Sequence, residues 1–462
     1  MCRNEAHSTN YLVFADSFYT QAMSELEFVE RLQNTHPFFE QLDLSLQIKQ
    51  VEKQGSIAGQ DWVVGVDAKH KNEDTEHISS ITSYNDLTTT TLDVSATKKL
   101  FDSGSDVTLK HTWKEKNKDI NTTRNKFSLD YTYPLLLNKG GINDRLDTDL
   151  ASIDIQTSLL DKQEQVENFI LEKLKKFVDL AYAQERQLIN EQRLSLADQE
   201  LKLVKNKFAA SVVDRVDVLL QEDAYQSAKQ QRLQAQQDLL LLRHEIAIIL
   251  DIDVNKAVAE FDLYKPYKLS GNNLKQYLLL NARVLKITDL NKNTLQRQLK
   301  SFKNESQAQL DLSLGLVSEG ESVNHSDSLN NQSPTWNIGL GLSYPIGGTK
   351  SKSNVEKTQI KLTQLRAKKQ EQFLNIHTQA TLFKEKTKLL LQMLASNKVQ
   401  INIAKSRTAE ERDRYTNGNG EASFVISAQN NEQNAQLGYA QTAQKYQKSV
   451  LEYKATVDQL VQ

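Results

Sequence analysis

With one cysteine, Cys2, in 462 residues, the chain forms no internal disulfide and offers no thiolate cluster to a metal. Proline and glycine number 5 and 16, so helix breakers are rare. Lysine and arginine (57) do not outnumber aspartate and glutamate (59). The formal charge of −2 leaves no cationic surplus with which a general nucleic-acid binder releases counterions. No run of about 18 apolar residues occurs, which excludes a transmembrane helix. It does not exclude a β-barrel, whose strands of about 9–11 alternating residues escape hydropathy windows. The 8 histidines are scattered and fit no His-Glu-x-x-His pattern. Gly341–Lys350 lacks the Gly-Lys-Ser/Thr order of a phosphate loop. No enzyme chemistry, metal site or cofactor is expected.

What remains is a polar chain, 39% apolar and 25% charged with a mean hydropathy of −0.56, suited to long helices with narrow apolar seams. Residues 1–23 are expected to be a disordered arm or the remnant of a leader. Cys2 is an incidental thiol, or a lipidation site if Met1 is artificial. A first repeat covers 24–251. It opens with short helices, Ser24–His36 and Phe38–Lys53, followed by strands over 61–135. Trp62, Val64, Val66 and Ala68 alternate with polar neighbours, as do Leu92, Val94 and Ala96, then Val107, Leu109, His111 and Trp113, then Phe127, Leu129, Tyr131 and Tyr133. Polar stretches at Asn72–Asp86 and Lys116–Arg124 are expected loops. Pro134 ends the sheet, Gly140-Gly141 turns the chain, and a helical hairpin fills 142–250. Its first helix would be about 100 Å long and its return about 55 Å at ~1.5 Å per residue. Apolar residues step by three and four, as in Ala197–Leu201–Val204–Phe208.

A linker, 252–270, leads to a second repeat over 271–462: a helix, strands over 309–345 (Leu310–Leu316, then Trp336–Tyr344), Pro345, Gly347-Gly348 and a hairpin over 349–460. Tyr133-Pro134 and Tyr344-Pro345 lie 211 positions apart, and Lys207-Phe208 and Arg414-Tyr415 lie 207 apart. A period this long marks a duplicated unit rather than a solenoid. The apolar face of the strands would pack on a second sheet in a soluble sandwich, or face lipid in a barrel.

The two hairpin tips carry the most specific pattern: Lys207-Phe208, Ser211 and Asp217-Val218-Leu219 in the first, Arg414-Tyr415, Gly418 and Phe424-Val425-Ile426 in the second. With the Tyr-Pro joints and the duplication, they make the chain resemble the TolC-like family of outer-membrane efflux proteins over roughly residues 24–460. The resemblance implies an α+β membrane protein. Long antiparallel helical hairpins would form a periplasmic α-barrel, and strands would join one trimeric outer-membrane β-barrel. It implies a homotrimer that meets a periplasmic adaptor and an inner-membrane pump, acting as a passive exit duct for efflux or type I secretion. The other reading is a non-conducting coiled-coil scaffold of the cell envelope.

The resemblance also assigns roles. Phe208, Ser211, Arg414 and Gly418 would contact the adaptor. Asp217, Tyr415, Phe424 and Ser427 would form the gate, with a Tyr415-to-Asp217 link across the tips. Trp62, Trp113, Tyr131, Tyr133, Trp336 and Tyr344 would mark the membrane interfaces. Two departures stand out. The family carries acidic residues where this chain has Phe424 and Ser427, which points to an apolar gate. It supplies four strands per protomer, whereas this chain has six candidates. The hairpin near Leu92–Trp113 either enlarges the barrel or sits outside it.

Overall fold

The computed structural model describes residues 22–78, 83–117, 120–269 and 273–461. Cys2 and nearly all of the expected leader fall outside them. The elements run α1 (Glu25–Thr35), α2 (Pro37–Gly55), β1 (Val63–Ile78), β2 (Ser83–Leu100), β3 (Ser105–Asn117), β4 (Thr122–Pro134), α3 (Leu146–Ala209), α4 (Arg215–Leu250), α5 (Leu274–Asn281), α6 (Arg283–Glu305), β5 (Gln309–Ser322), α7 (His325–Asn330), β6 (Ser333–Ser343), α8 (Thr349–Thr416) and α9 (Ala422–Thr456). Two compact units share these elements. One comprises the residues up to Glu40 with Glu164–Ala282 and Asn375 onward; the other comprises Gln41–Gln163 and Arg283–Leu374.

The second unit contains a single antiparallel sheet in the order β1-β2-β3-β4-β5-β6. Strands from both halves of the sequence therefore share one sheet, joined where β4 pairs with β5. One row of partners runs Val64–Ala96–Leu109–Leu129–Leu316–Trp336. Because side chains alternate with a period of two, that row fixes the faces. Val66, Val94, Tyr131, Leu314 and Ile338 share its side, while Asp67, Ser95, Lys110, Ser128, Gly315 and Asn337 fall on the other.

The expected loop at Asn72–Asp86 is a correction: β1 continues to Ile78 and β2 resumes at Ser83. Both faces are polar there, so no alternation betrays a strand. The run Thr88–Thr91 nonetheless has β-branched residues that favour extended backbone, and it pairs with His70, Lys71, Asn72 and Lys69. β3 and β4 likewise shorten the expected loop between them. The additional hairpin lies inside the sheet, with β2 joined to β3 at every position from Thr88 to Leu100.

The turn from sheet to helix is tightly determined. Gly140 and Gly141 both have φ of 65°, and a Cβ on Gly141 would lie 1.5 Å from the Phe101 carbonyl oxygen, so only glycine fits. Asn304 holds this joint, accepting from the Asn138 N–H at 2.7 Å and from Asn143 at 3.1 Å. Arg297 ion-pairs Asp149 at 2.6 Å. Gly347 and Gly348 have positive φ at the matching place in the second repeat.

In the first unit, the apolar steps of α3 meet α1, α4 and α9. Phe28, Leu32, Ile170, Phe177, Ile246 and Tyr446 are fully buried, and Phe28 stacks on Phe177 with centroids 4.8 Å apart. The expected linker is packed rather than free. Met23 exchanges backbone hydrogen bonds of 2.8 Å with Val258 and Glu260. Gln184 accepts from the Ala259 N–H at 2.8 Å and donates to its carbonyl at 3.0 Å. Gln447 donates to the Leu263 and Lys265 carbonyls at 2.8 and 2.9 Å. These amides satisfy backbone groups that an irregular segment cannot pair with itself. The expected helix from Asn272 is two helices, α5 and α6, divided at Ala282.

Candidate functional site: the paired tips and the aromatic face

The two tips are built alike, residue for residue, at the spacing of 207. The Val212 N–H donates to the Lys207 carbonyl, and the Asn419 N–H to the Arg414 carbonyl, each at 2.9 Å. Ser211 and Gly418 occupy the same left-handed position, with φ of 58° and 79°. Asp214 and Glu421 precede the return helices at matching places. This is the helix ending in which a left-handed residue lets the chain reverse and satisfies the last carbonyls.

Tyr415 is the centre of the second tip. Only 5% of it is exposed, among Val204, Ala422 and Val425, with Leu203, Val213 and Val218 around them. The cluster joins α3, α8 and α9 to the start of α4. Lys207 fixes its position: Nζ lies 4.1 Å from the centroid of the Tyr415 ring and donates to the Tyr415 carbonyl at 3.2 Å. The expected hydrogen bond from Tyr415 to Asp217 is not made. Asp217 instead accepts from the Asp214 N–H at 3.3 Å, as the third residue of a helix start does in a capping box. The Tyr415 hydroxyl is buried without a hydrogen-bond partner. Burial, then the charges of Asp217 and Glu200, raises its pKa.

The other predicted tip residues face outward. Phe208 is 44% exposed and Phe424 50%; Ser211, Arg414, Gly418 and Ser427 are exposed as well. The first tip adds exposed Val212, Val216 and Leu219, which makes it the more apolar surface of the two.

Sequence reasoning missed a polar layer behind the tips. Glu200 is fully buried, with Arg412 Nε at 2.9 Å. Arg193, also buried, donates to Asn430 at 3.0 Å, and desolvation lowers its pKa. Gln433 donates to Asn190 at 3.0 Å and to Gln231 at 2.9 Å. These contacts tie the first hairpin to the second. A signal was present: Arg193, Ala197, Glu200 and Val204 step by 4, 3 and 4, the spacing of a buried seam.

In the sheet unit the six aromatics share one parity. Trp113, Tyr131, Tyr133 and Trp336 fall on the apolar side of the register, and Trp62 and Tyr344 continue it just beyond β1 and β6. Trp62, Tyr131, Tyr133 and Tyr344 lie near the strand ends next to the helices, and Trp113 and Trp336 nearer the opposite ends. Trp336 is 77% exposed. An open groove of about 580 Å³ crosses this face, lined by Val64, Ala96, Leu109, Leu129 and Leu316. Lys110, Asp93 and Thr112 occupy the polar face, with Lys110 3.2 Å from Asp93.

Among the described residues no group of three or more histidine, cysteine, aspartate or glutamate side chains is placed to hold a metal, and no helix is long and apolar enough to cross a membrane.

No protein-family model and no curated relative matches the chain. Solved structures do. CusC superposes with a TM-score of 0.69 at 10% identity, over 94% of this chain and 91% of that one. The MtrE outer membrane channel of Neisseria gonorrhoeae, in its open state, superposes with 0.68 at 12% identity, over 94% and 89%. The outer membrane protein VceC of Vibrio cholerae gives 0.65 at 11% identity, over 94% and 95%. The likeness is one of fold, and it covers nearly the whole of each chain: the architecture is the α+β, TolC-like one, with helical hairpins and a β-sheet.

Proposed function

We propose that this chain is one protomer of a trimeric outer-membrane export duct. Its six strands enter the bilayer, and its helical hairpins extend into the periplasm. The observation that carries the reading is the single sheet with an apolar, aromatic-bordered face and a polar face, in a chain whose duplicated hairpins end in matched tips. A sheet open at both edges is unfit for lipid, where an unpaired backbone group costs several kcal/mol. Copies of the chain that close it into a ring remove that cost. The helices also ask for neighbours. Leu382, Leu389 and Ile403 of α8 are separated by 7 and 14 residues, and Leu233 and Leu240 of α4 by 7; each is about half exposed or more. Apolar residues at heptad spacing on an uncovered helix face are the seam of a coiled assembly.

In this reading the duct is passive. The first tip, with Phe208 and Val212 exposed, docks a periplasmic adaptor, and an inner-membrane pump supplies the energy for efflux or type I secretion. The lumen is the polar face, and the lipid contact is the apolar one. The outer-membrane channels of the same fold support this orientation by analogy.

The test is extraction. The protein should leave the outer-membrane fraction only with detergent, as a trimer that collapses to monomer on boiling. A water-soluble monomer would contradict the membrane assignment and the assembly together.

A further inference from the structure

We infer that each protomer contributes all six strands, so that three copies close an eighteen-stranded barrel through β1 of one copy and β6 of the next. The inference rests on the trimeric-duct reading and specifies the partner of each sheet edge: a second copy of this chain.

Three observations lead to it. First, among the described residues β1 pairs only with β2 and β6 only with β5, so these are the free edges. β3 has none, because β2 occupies its outer side from Ser105 to Asn117. A twelve-stranded ring that excluded β1 and β2 would have to break that whole ladder. Second, the apolar face continues without interruption beyond β3 onto the edge hairpin β1–β2, through Val94 and Ala96 of β2 and Val64 and Val66 of β1. A hairpin outside the barrel has no need of a lipid-facing side. Third, the order alternates, so β6 of one copy runs antiparallel to β1 of the next, as an even-numbered barrel requires.

The register follows from keeping the apolar band level across the seam. Leu342 then stands opposite Val64, and Ile338 opposite Ala68, which brings Trp336 opposite His70. Within a copy, however, the row that begins at Val64 ends at Trp336. Each copy therefore steps the register by six residues, from 64 to 70. Over three copies the stagger is about 18 for 18 strands. With roughly 3.3 Å per residue and 4.8 Å between strands, the tilt is about 35°, inside the range of roughly 35–45° known for membrane barrels. The corresponding barrel is about 34 Å across between strand axes, against about 23 Å for twelve strands at the same tilt. The polar extension of β1 and β2 beyond Ala68 and Thr91 then lies past the lipid band as a hairpin with both faces in water.

Paired cysteines test the seam. With Cys2→Ser as background, Val64→Cys combined with Leu342→Cys should shift the chain on a non-reducing denaturing gel from 52.6 kDa to three times that mass. Leu109→Cys combined with Leu340→Cys, which reports a β3-to-β6 seam, should leave it at the mass of one chain. The reverse result overturns the eighteen-stranded closure while leaving a trimeric duct. An intact detergent-extracted trimer that cross-links through neither pair also overturns it. A detergent-extracted monomer defeats the duct reading itself. Should the variants not assemble, electron images of the unmodified trimer decide the matter: eighteen strands in cross-section support the seam, and twelve refute it.

Discussion

Phe424 stands half exposed on α9, with its neighbours Val425 and Ala428 buried against the other helices. The side chain is free to project where the resemblance placed acid. Three such rings around an axis would close a path by sterics and dewetting rather than by charge. Phe424→Ala should raise the closed-state conductance measured in single-channel recordings. Unchanged conductance with unchanged cation dependence would remove Phe424 from the gate. Behind it, Glu200 is the fully buried carboxylate of the tip region, with Arg412 at 2.9 Å. Arg412→Ala should cost about 3 kcal/mol in denaturant unfolding, because it strands a buried charge. Adding Glu200→Gln should recover most of that loss, and a purely additive double variant would show that the pair is not coupled. Such residues were only half legible in the sequence. Tyr415, the joint glycines and the parity of the aromatics follow from pattern. Arg193 and Glu200 did not, because a charged residue on a helix reads as solvated until its seam spacing is weighed against its charge. The Tyr415–Asp217 link failed for a local reason: a carboxylate three residues into a helix start is drawn to the backbone N–H groups beside it.

Among the elements, the tips show how duplication survives divergence. Gly418 adopts its left-handed backbone without strain, whereas Ser211 holds the same conformation at a cost of about 1–2 kcal/mol. Ser211→Gly should stabilise the helical unit by about 1 kcal/mol, and Gly418→Ala should destabilise it by about as much, both read from thermal unfolding. Helix α9 is held further along by Glu452, which pairs with Lys175 at 2.8 Å and with Lys386 at 3.2 Å. Burial opposes its charge, but the two lysines outweigh burial and keep its pKa below the ordinary glutamate value. A carboxyl depressed in the folded state adds stability that is complete above its unfolded pKa, near ~4.3, and is lost as pH falls through the lower folded value. The stability gap between the wild type and Glu452→Gln, about 1 kcal/mol at neutral pH, should therefore shrink below about pH 4. A gap that persists there would contradict the pairing. The long helices and most strands were readable because their periodicity is strong. The polar halves of β1 and β2 were not: with polar residues on both faces, nothing in the sequence separates a strand from a loop. The stretch after α4 read as a linker because its order comes from distant glutamines, Gln184 and Gln447, and not from its own residues.

At the scale of the molecule, the proposed duct asks for more than one chain. Among the described residues two sheet edges are unpaired, an apolar sheet face is open, and heptad-spaced leucines of α4 and α8 are uncovered. In the proposed duct a further copy or lipid would supply each of these, and three copies would satisfy the edges and the helices with one symmetry. The whole-molecule fold was legible as a duplication, because two tips 207 residues apart and two Tyr-Pro joints cannot arise from helix periodicity alone. That the two halves share one sheet was implied by the resemblance and not by residue pattern, since the β4-to-β5 pairing joins residues from Pro134 with Asp311 to Thr123 with Ser322, far apart in sequence. Conduction is the most direct property of the proposed duct. Purified protein added to a planar bilayer should insert as trimers and give discrete, reproducible conductance steps, larger in a variant with both tips deleted. A trimer that inserts but carries no current with the tips removed would contradict it, and would leave an envelope scaffold in place of a duct.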